Sequence, residues 1–241
     1  MMKKMHYTKL TLTAGLLLTA GLTGCATSQQ SAGDAPICET QQAELTPDAV
    51  LADLMAGNER YVAGTLSAPD IHARVSATST GQYPQALILS CVDSRVPVEM
   101  VFDQGIGDIF VGRVAGNVAT TEQIGSMEFA TKLAGSKLVM VLGHESCGAV
   151  KGACDGAKLG NLTALLDHIQ PAIQAVDGFP NDQRNSKNKD YVAAVVDKNV
   201  DLTIAHIRSS SEVLRDLEAK GQIKIVGAIY DLHDGSVTLT N

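Results

Sequence analysis

Four short and continuously apolar runs, separated by stretches with helical periodicity, constrain the fold of this chain most strongly. The apolar runs are residues 86–90, 108–111, 138–142 and 223–229. The helical patterns lie near residues 122–134, 145–154, 161–176 and 190–219. Strands that are apolar along their whole length are buried on both faces, as in parallel sheets covered by helices. The sequence therefore predicts an α/β fold with a mostly parallel sheet flanked by helices.

One domain, residues 46–241, accounts for these runs in a chain of 241 residues. Thr46 and Pro47 predict the start of a helix over residues 47–62, because a hydroxyl caps the helix and proline suits its first position. The residues that follow, as far as Gln82, are expected to form a polar loop. A turn at Asp234-Gly235 predicts a short final hairpin strand at residues 237–239.

Residues 1–24 are expected to be a signal peptide. Lysines precede an apolar run over residues 10–22, which is shorter than the roughly 20 residues that a permanent membrane helix needs. The run ends in Leu22-Thr23-Gly24-Cys25, which resembles a bacterial lipobox. That resemblance implies cleavage before Cys25 and lipidation of its thiol. The alternative is an ordinary secretory signal with an incidental cysteine.

The residue after Cys25 is Ala26, where an aspartate would signal retention in the inner membrane. We therefore expect an exported protein that is lipid-anchored to the outer membrane and faces the periplasm. Residues 25–45, which are poor in apolar side chains, are expected to form the lipidated N-terminus and a flexible tether.

Composition excludes several other classes of protein. The formal net charge is −7 and the sequence pI is about 5.3, so nucleic acid is not an expected partner. Hydrophobic residues make up 45% of the chain and charged residues 19%, which is typical of a globular protein. Five cysteines are too few for a small disulfide scaffold.

Polar motifs follow three of the predicted strands directly. They are Cys91-Val-Asp-Ser-Arg95, Gly112-Arg-Val-Ala-Gly-Asn117 and Gly143-His-Glu-Ser-Cys-Gly148. Ligands bind outside the carboxyl ends of the strands in open α/β sheets, so these motifs are expected to share one site.

Cys91, His144 and Cys147 form a candidate metal site. Two thiolates and one imidazole suit zinc, and three protein ligands leave a fourth tetrahedral position open for water or substrate. His144 and Cys147 are three residues apart, so we expect both to face one point from the first turn of a helix. Cys91 is expected to arrive from a neighbouring strand.

Asp93 and Arg95 are expected to form a bidentate carboxylate–guanidinium pair beside the metal. The pair would keep Asp93 ionised and oriented, so that it could accept a hydrogen bond from water on the metal. Zinc lowers the pKa of such water from about 15.7 to about 7.

These motifs resemble those of the β-class carbonic anhydrases. Cys-x-Asp-Ser-Arg is followed about fifty residues later by Gly-His-x-x-Cys-Gly, and the resemblance covers roughly residues 46–240. It implies a carbonate dehydratase that reversibly hydrates CO2 to bicarbonate and a proton. The implied mechanism is attack of zinc-bound hydroxide on CO2.

The resemblance also implies a role for individual residues. Cys91, His144 and Cys147 would hold one Zn²⁺ per chain, and Asp93 and Arg95 would be the catalytic pair. Four further residues would bind substrate: Gln82, Phe110, Ala115 and Gly148. The family is dimeric or larger, so the implied partners are CO2 or bicarbonate, further copies of the chain in a homodimer or higher oligomer, and the membrane through the lipid anchor. Residues 47–62 would be the arm that embraces the partner.

Three alternatives stay open at the sequence level. One subfamily switches itself off when the aspartate equivalent to Asp93 ligates the zinc, although Gln82 favours the constitutively open type. Some relatives use the same ligands to hydrolyse COS or CS2. A non-catalytic zinc-binding or assembly protein is the third alternative, and the intact Asp93 and Arg95 argue against it.

The remaining cysteines and histidines match no motif. Cys38 and Cys154 could pair in an oxidising compartment. An imidazole titrates near neutral pH and could carry protons to buffer. The spacing does not choose among the candidates for that role, which are His72, His168, His206 and His233.

Overall fold

The computed structural model describes residues 35–240, and its centre is one five-stranded sheet in the order β2-β1-β3-β4-β5. The strands are β1 (Ala86–Ser90), β2 (Ile109–Arg113), β3 (Leu138–His144), β4 (Lys224–Tyr230) and β5 (Val237–Leu239). The first four strands are parallel, and β5 pairs with β4 in the antiparallel direction. The predicted fold class and the final hairpin strand are confirmed.

Helices cover both faces of this sheet. They are α1 (Glu39–Glu44), α2 (Pro47–Val62), α3 (Ile71–Thr78), α4 (Val98–Val101), α5 (Thr121–Glu128), α6 (Gly148–Cys154), α7 (Gly160–Asp167), α8 (Gln170–Ala175), α9 (Lys189–Ser210) and α10 (Glu212–Ala219). A π-helical segment, Phe129–Leu133, continues α5. Among residues 35–240, no helix is both long and apolar enough to cross a membrane.

Alternate residues of each central strand face opposite layers of the core, as the pleat of a strand requires. In β1, Leu87 and Leu89 pack with α5, α9 and α10, whereas Ala86 and Ile88 pack with α2 and α4. All five residues of β1 and all seven of β3 are buried. The continuous apolar runs in the sequence follow from this burial on both sides.

The helix predicted at Thr46-Pro47 is confirmed as α2. The Thr46 hydroxyl accepts a hydrogen bond from the Ala49 amide at 3.2 Å, and Val50 and Leu54 are fully buried against the sheet. This capping satisfies one of the amides that a helix start leaves without a partner.

Two stretches that were expected to be irregular are helical. Residues 71–78 form α3 rather than part of a polar loop. The expectation of a flexible tether is wrong for residues 39–44, which form α1. Gln42 is buried there, and its side-chain amide donates to the carbonyls of Pro84 and Ala134, both at 2.8 Å. Such buried polar contacts are invisible in the composition of the segment.

The signal peptide and the lipobox cysteine, Cys25, lie outside the described residues. Cys154 is a free, half-buried thiol, so the alternative pairing with Cys38 is not formed. Burial raises the pKa of the Cys154 thiol to about 11.

Candidate metal centre

Three buried side chains converge at the carboxyl edge of the sheet. Cys91 directly follows β1, His144 is the last residue of β3, and Cys147 is the residue before α6. One ligand atom from each lies within 4.8 Å of the other two, and the two Sγ atoms are 3.9 Å apart. Because β1 and β3 are parallel neighbours, their carboxyl ends bring these side chains together.

The link between His144 and Cys147 differs from the expected first helical turn. His144 belongs to a strand, and α6 begins only after Cys147. Ser146, between them, adopts a left-handed backbone conformation with φ of 54°. This tight turn, and not the periodicity of a helix, directs both side chains to one point. Spacing alone could not distinguish the two cases.

The imidazole of His144 is oriented by the backbone. Its Nδ1 lies 2.8 Å from the carbonyl oxygen of Glu145, which can only accept, so Nδ1 carries the proton. Nε2 then presents its lone pair toward the thiols. Nε2 is fully buried and has no hydrogen-bond partner among the described residues. A buried acceptor without a partner is costly, and a metal ion would satisfy it.

The two thiols form a coupled pair. The hydrogen-bond contact between the two sulfurs lowers the pKa of Cys91 and raises that of Cys147. Backbone amides support both sulfurs: the Gly116 amide lies 3.4 Å from the Cys91 Sγ, and the amides of Ala149 and Val150 favour the Cys147 thiolate. Metal ligation requires thiolates, which these donors stabilise.

Asp93 and Arg95 form a bidentate ion pair at the rim of the cluster. The Arg95 Nε and Nη2 donate to the two carboxylate oxygens of Asp93 at 2.9 and 2.7 Å, and the Arg95 amide donates to Oδ1 at 3.0 Å. The Arg95 side chain therefore holds the pKa of Asp93 well below its usual range. The Asp93 Oδ2 lies 3.8 Å from the Nε2 of His144, which places an ionised carboxylate beside the buried ligand atoms.

Two of the four expected substrate-binding residues adjoin the cluster. Ala115 precedes Gly116, whose amide contacts the Cys91 sulfur, and Gly148 directly follows Cys147. A Cβ atom added at Gly148 would meet nothing within 4 Å. Open space therefore lies beside Gly148, and the peptide between Ala115 and Gly116 adjoins the Cys91 sulfur.

The other two expected substrate-binding residues, Gln82 and Phe110, lie away from the cluster. Gln82 is exposed and precedes β1, at the end of the strand opposite Cys91. Phe110 is aligned with Leu87, four residues before Cys91, which corresponds to about 13 Å along the strand at ~3.3 Å per residue. Phe110 instead contacts Phe129, with ring centroids 6.0 Å apart, in a cavity of about 650 Å³. Within one chain, neither side chain adjoins the three candidate metal ligands.

The structure adds a support that the sequence analysis missed. Gly116 has a φ of 71°, and its carbonyl accepts a hydrogen bond of 2.8 Å from the buried amide of Asn199 on α9. Asn199 thereby holds the peptide whose amide contacts the Cys91 sulfur. Asn199 lies 83 residues from Gly116 along the chain, so no local motif could reveal the contact.

Of the four candidate histidines outside the motifs, His72 is exposed on α3 and the other three lie in two places. His233 lies 3.9 Å from the carboxylate of Glu145, the residue after His144. His168 and His206 line a separate cavity of about 540 Å³ between α7, α8 and α9. The choice of a proton carrier stays open.

The sequence is similar to that of known enzymes over most of its length. A family described as "Carbonic anhydrase" matches residues 86–237. Carbonic anhydrase 2 of Mycobacterium tuberculosis is 35% identical over 202 residues, which cover 80% of this chain and 92% of that protein. A carbonic anhydrase of Mycolicibacterium smegmatis is 35% identical over 200 residues, covering 80% and 93%.

Solved structures share the fold. The β-carbonic anhydrase CcaA superposes with a TM-score of 0.61 at 23% identity, covering 80% of this chain and 88% of that one. One of two tetrameric β-carbonic anhydrases from Sordaria macrospora gives a TM-score of 0.58 at 24% identity, covering 68% and 83%. At these sequence identities the structural similarity shows that this chain shares their fold.

Gly116→Ala should disturb the support of the Cys91 sulfur. The added Cβ would lie 2.8 Å from the Cδ1 of Ile169, and the residue would keep a left-handed conformation. We expect the free energy of unfolding to fall by about 1–3 kcal/mol, measured by urea denaturation. Gly152→Ala on α6 is the matched control, because its Cβ would make an ordinary 3.5 Å contact with the Cδ1 of Leu166 on α7. Equal losses in the two variants would contradict this prediction.

Proposed function

This chain belongs to the β-class carbonic anhydrases, and from that membership we propose that it hydrates CO2 reversibly by means of one zinc ion held by Cys91, His144 and Cys147. The observation that carries the proposal is the convergence of these three buried ligand atoms within 4.8 Å, beside the ionised Asp93 carboxylate. A purely structural metal would have no use for an ionised acceptor beside its ligands.

The residues present fit zinc. The set consists of two sulfurs and one imidazole nitrogen, which is a common ligand combination for catalytic zinc. The lone pair on the Nε2 of His144 has no partner among the described residues, and backbone amides favour the thiolates. With three protein ligands, zinc would keep one position open and would supply Lewis-acid activation of a water molecule there.

Asp93 would orient the reacting water. Its carboxylate is acceptor-only when ionised, so it would accept a proton of that water in a hydrogen bond and direct a lone pair toward CO2. Arg95 would fix the carboxylate through its two parallel hydrogen bonds. The pair also favours the open state of the site, because Asp93 is engaged with Arg95 and would have to break that contact before it could ligate zinc.

CO2 and bicarbonate differ in polarity, so the site needs both an apolar contact and hydrogen-bond donors. CO2 carries no net charge, so the Ala115 methyl would suit it, whereas the bicarbonate product would accept hydrogen bonds from amides such as that of Gly148. Gln82 and Phe110 would contribute only from a second copy of the chain, because each lies away from the cluster in its own chain.

A homodimer or larger oligomer would bring such residues to the site. In the described part of the chain β2 pairs only with β1, which leaves its outer edge available. Exposed apolar side chains lie on the same side: Phe129, and Ile71 and Val75 on α3. The α3 helix is held beside the start of β2 by the Arg74–Asp108 ion pair. Covering this edge and these side chains favours association.

Stopped-flow CO2 hydration at about pH 7 and pH 8.5, with zinc counted in the same sample, tests the activity. We expect about one zinc per chain and hydration at both pH values. Activity only at the higher pH would indicate that Asp93 closes the site, and zinc without hydration would contradict the proposal and favour COS or CS2 as substrate.

Asp93→Asn should lower kcat/KM for CO2 by about 100-fold or more while zinc content stays unchanged, because the amide cannot replace an ionised acceptor. Glu218→Gln is the matched control. It removes the charge of another bidentate carboxylate pair, with Arg208 at 2.8 and 2.7 Å, near the start of β4 and so at the amino ends of the strands. If both variants kept full activity, Asp93 would have no catalytic role.

Phe129→Glu should dissociate the oligomer, because association would bury an unpaired charge. Sedimentation velocity at micromolar concentration should show a shift from a dimer or larger species to a monomer. Leu159→Glu is the control, since Leu159 is 72% exposed and does not line the 650 Å³ cavity that contains Phe110 and Phe129. A Phe129→Glu variant that sediments like the unchanged protein would rule out this interface.

The N-terminus would export the protein and anchor it by lipid on Cys25 to the outer membrane, facing the periplasm. Support comes from the lipobox-like Leu22-Thr23-Gly24-Cys25 and from Ala26 after it. The Cys25→Ser variant should leave the membrane fraction and lose the mass of the acyl chains in mass spectrometry. An unchanged distribution and an unacylated mature N-terminus would refute the anchor.

A further inference from the structure

The last residue of β2, Arg113, holds the loop that carries both Cys91 and Asp93. Its Nε donates to the carbonyl oxygen of Cys91 at 2.8 Å, and its Nη2 donates to that of Asp93 at 2.6 Å. One planar guanidinium therefore binds two carbonyls on either side of Val92. The guanidinium fork is rigid, so it fixes the distance between its two acceptors as well as their positions.

The other anchors of this loop lie at its two ends, where the Gly116 amide contacts the Cys91 sulfur and the Val96 side chain is fully buried in the core. The amide of Val114 donates to Ser90 at 3.0 Å, which is the last backbone bond between β2 and the end of β1. Val92, at the centre of the loop, is 56% exposed, so apolar packing of its side chain does not anchor this peptide. The Asp93 carbonyl also accepts from the Val96 amide at 3.1 Å, which closes a turn within the loop but does not tie it to the sheet.

We propose that Arg113 is a positioning residue for the reaction, which sets the placement of the Cys91 sulfur relative to the Asp93 carboxylate. The inference rests on the proposed function, because it concerns the geometry of the zinc ligand and of the acceptor for water. Arg113 acts through the backbone and touches neither a ligand atom nor the carboxylate. Arg113 binds the backbone carbonyl of Asp93, whereas Arg95 binds and orients its side-chain carboxylate.

Arg113 therefore connects β2, an outer strand of the sheet, to the loop that carries Cys91 and Asp93. β2 carries Phe110 and Gly112, which line the 650 Å³ cavity, and it ends in the arginine that holds the ligand loop. A shift of β2 along β1 would move the two carbonyls together, because a single side chain binds both.

A purely structural role for Arg113 is the rival explanation, and the chain offers a matched control for it. Arg184 also donates to two backbone carbonyls, those of Val176 and Ile173, at 2.7 and 2.5 Å. Its loop carries no residue of the site. Loss of either arginine removes two carbonyl partners, so the two variants should share any effect that comes from lost stability alone.

The test compares Arg113→Gln, Arg113→Lys and Arg184→Gln in the full-length protein. Zinc affinity is measured by competition with a chelator, and the apoprotein is reloaded with Co²⁺ so that the sulfur-to-cobalt charge-transfer band reports on the ligand geometry. The kcat and KM for CO2 are measured with zinc, and unfolding midpoints are recorded for all three.

For Arg113→Gln we expect zinc affinity or kcat to fall about 10- to 100-fold, a changed cobalt spectrum and a nearly unchanged KM. The zinc affinity and kcat of Arg113→Lys should lie between those of Arg113→Gln and the unchanged protein, because an ammonium keeps the charge but lacks the two parallel donors of a guanidinium. Arg184→Gln should lower the unfolding midpoint and leave the spectrum, the zinc affinity and kcat unchanged.

An Arg113→Gln variant with the spectrum, zinc affinity and kcat of the unchanged protein would overturn the inference alone. If Arg113→Gln does not fold, the test uses Arg113→Lys instead. An Arg113→Lys variant with the cobalt spectrum and kcat of the unchanged protein would again overturn the inference. An unchanged protein that bound neither Zn²⁺ nor Co²⁺ would overturn the proposed function together with the inference.

Discussion

The parallel pairing of β1 with β3 is the constraint on which the site depends. Ser90 lies level with Leu142, so Cys91 and His144 emerge from neighbouring strands at nearly the same height. A shift by one residue would move every side chain of the strand to the other face, where the opposite layer of the core is packed around different side chains, so the register is costly to change. The turn at Ser146 then adds Cys147 to the pair.

Bringing two thiols and an imidazole into a buried site carries a desolvation cost, and the surrounding backbone offsets much of it. Amides of Gly116, Ala149 and Val150 face the sulfurs, and the carbonyl of Glu145 accepts the Nδ1 proton of His144. These donors and acceptors belong to the rigid main chain. Main-chain groups therefore help to fix the three candidate ligand atoms, which suits the proposed chemistry because it depends on a fixed acceptor beside them.

Two arginines divide the positioning of Asp93 between them. Arg95 binds the carboxylate, and Arg113 binds the backbone carbonyl of the same residue and that of Cys91. Arg113 belongs to β2, the strand at the open edge of the sheet. The proposed association through that edge and the order of the Cys91–Asp93 loop would therefore depend on one strand. The placement of Phe110 on the same strand, away from the metal ligands of its own chain, fits a site that two copies complete.

The sequence by itself determined the α/β class, the central strands, the start of α2 and the candidate ligands, because burial on both faces and helix capping leave patterns between near neighbours. Local pattern failed for α1 and α3, and it assigned His144 to a helix although His144 ends a strand. Only the tertiary structure decided that Asn199 supports Gly116, that Arg113 holds the Cys91 loop, and that Gln82 and Phe110 lie away from the ligands of their own chain. Strand register and helix packing set these contacts and distances between residues that are far apart in the chain. The spacing of neighbouring residues in the sequence carries no information about either, which is the physical reason why local patterns could not predict them.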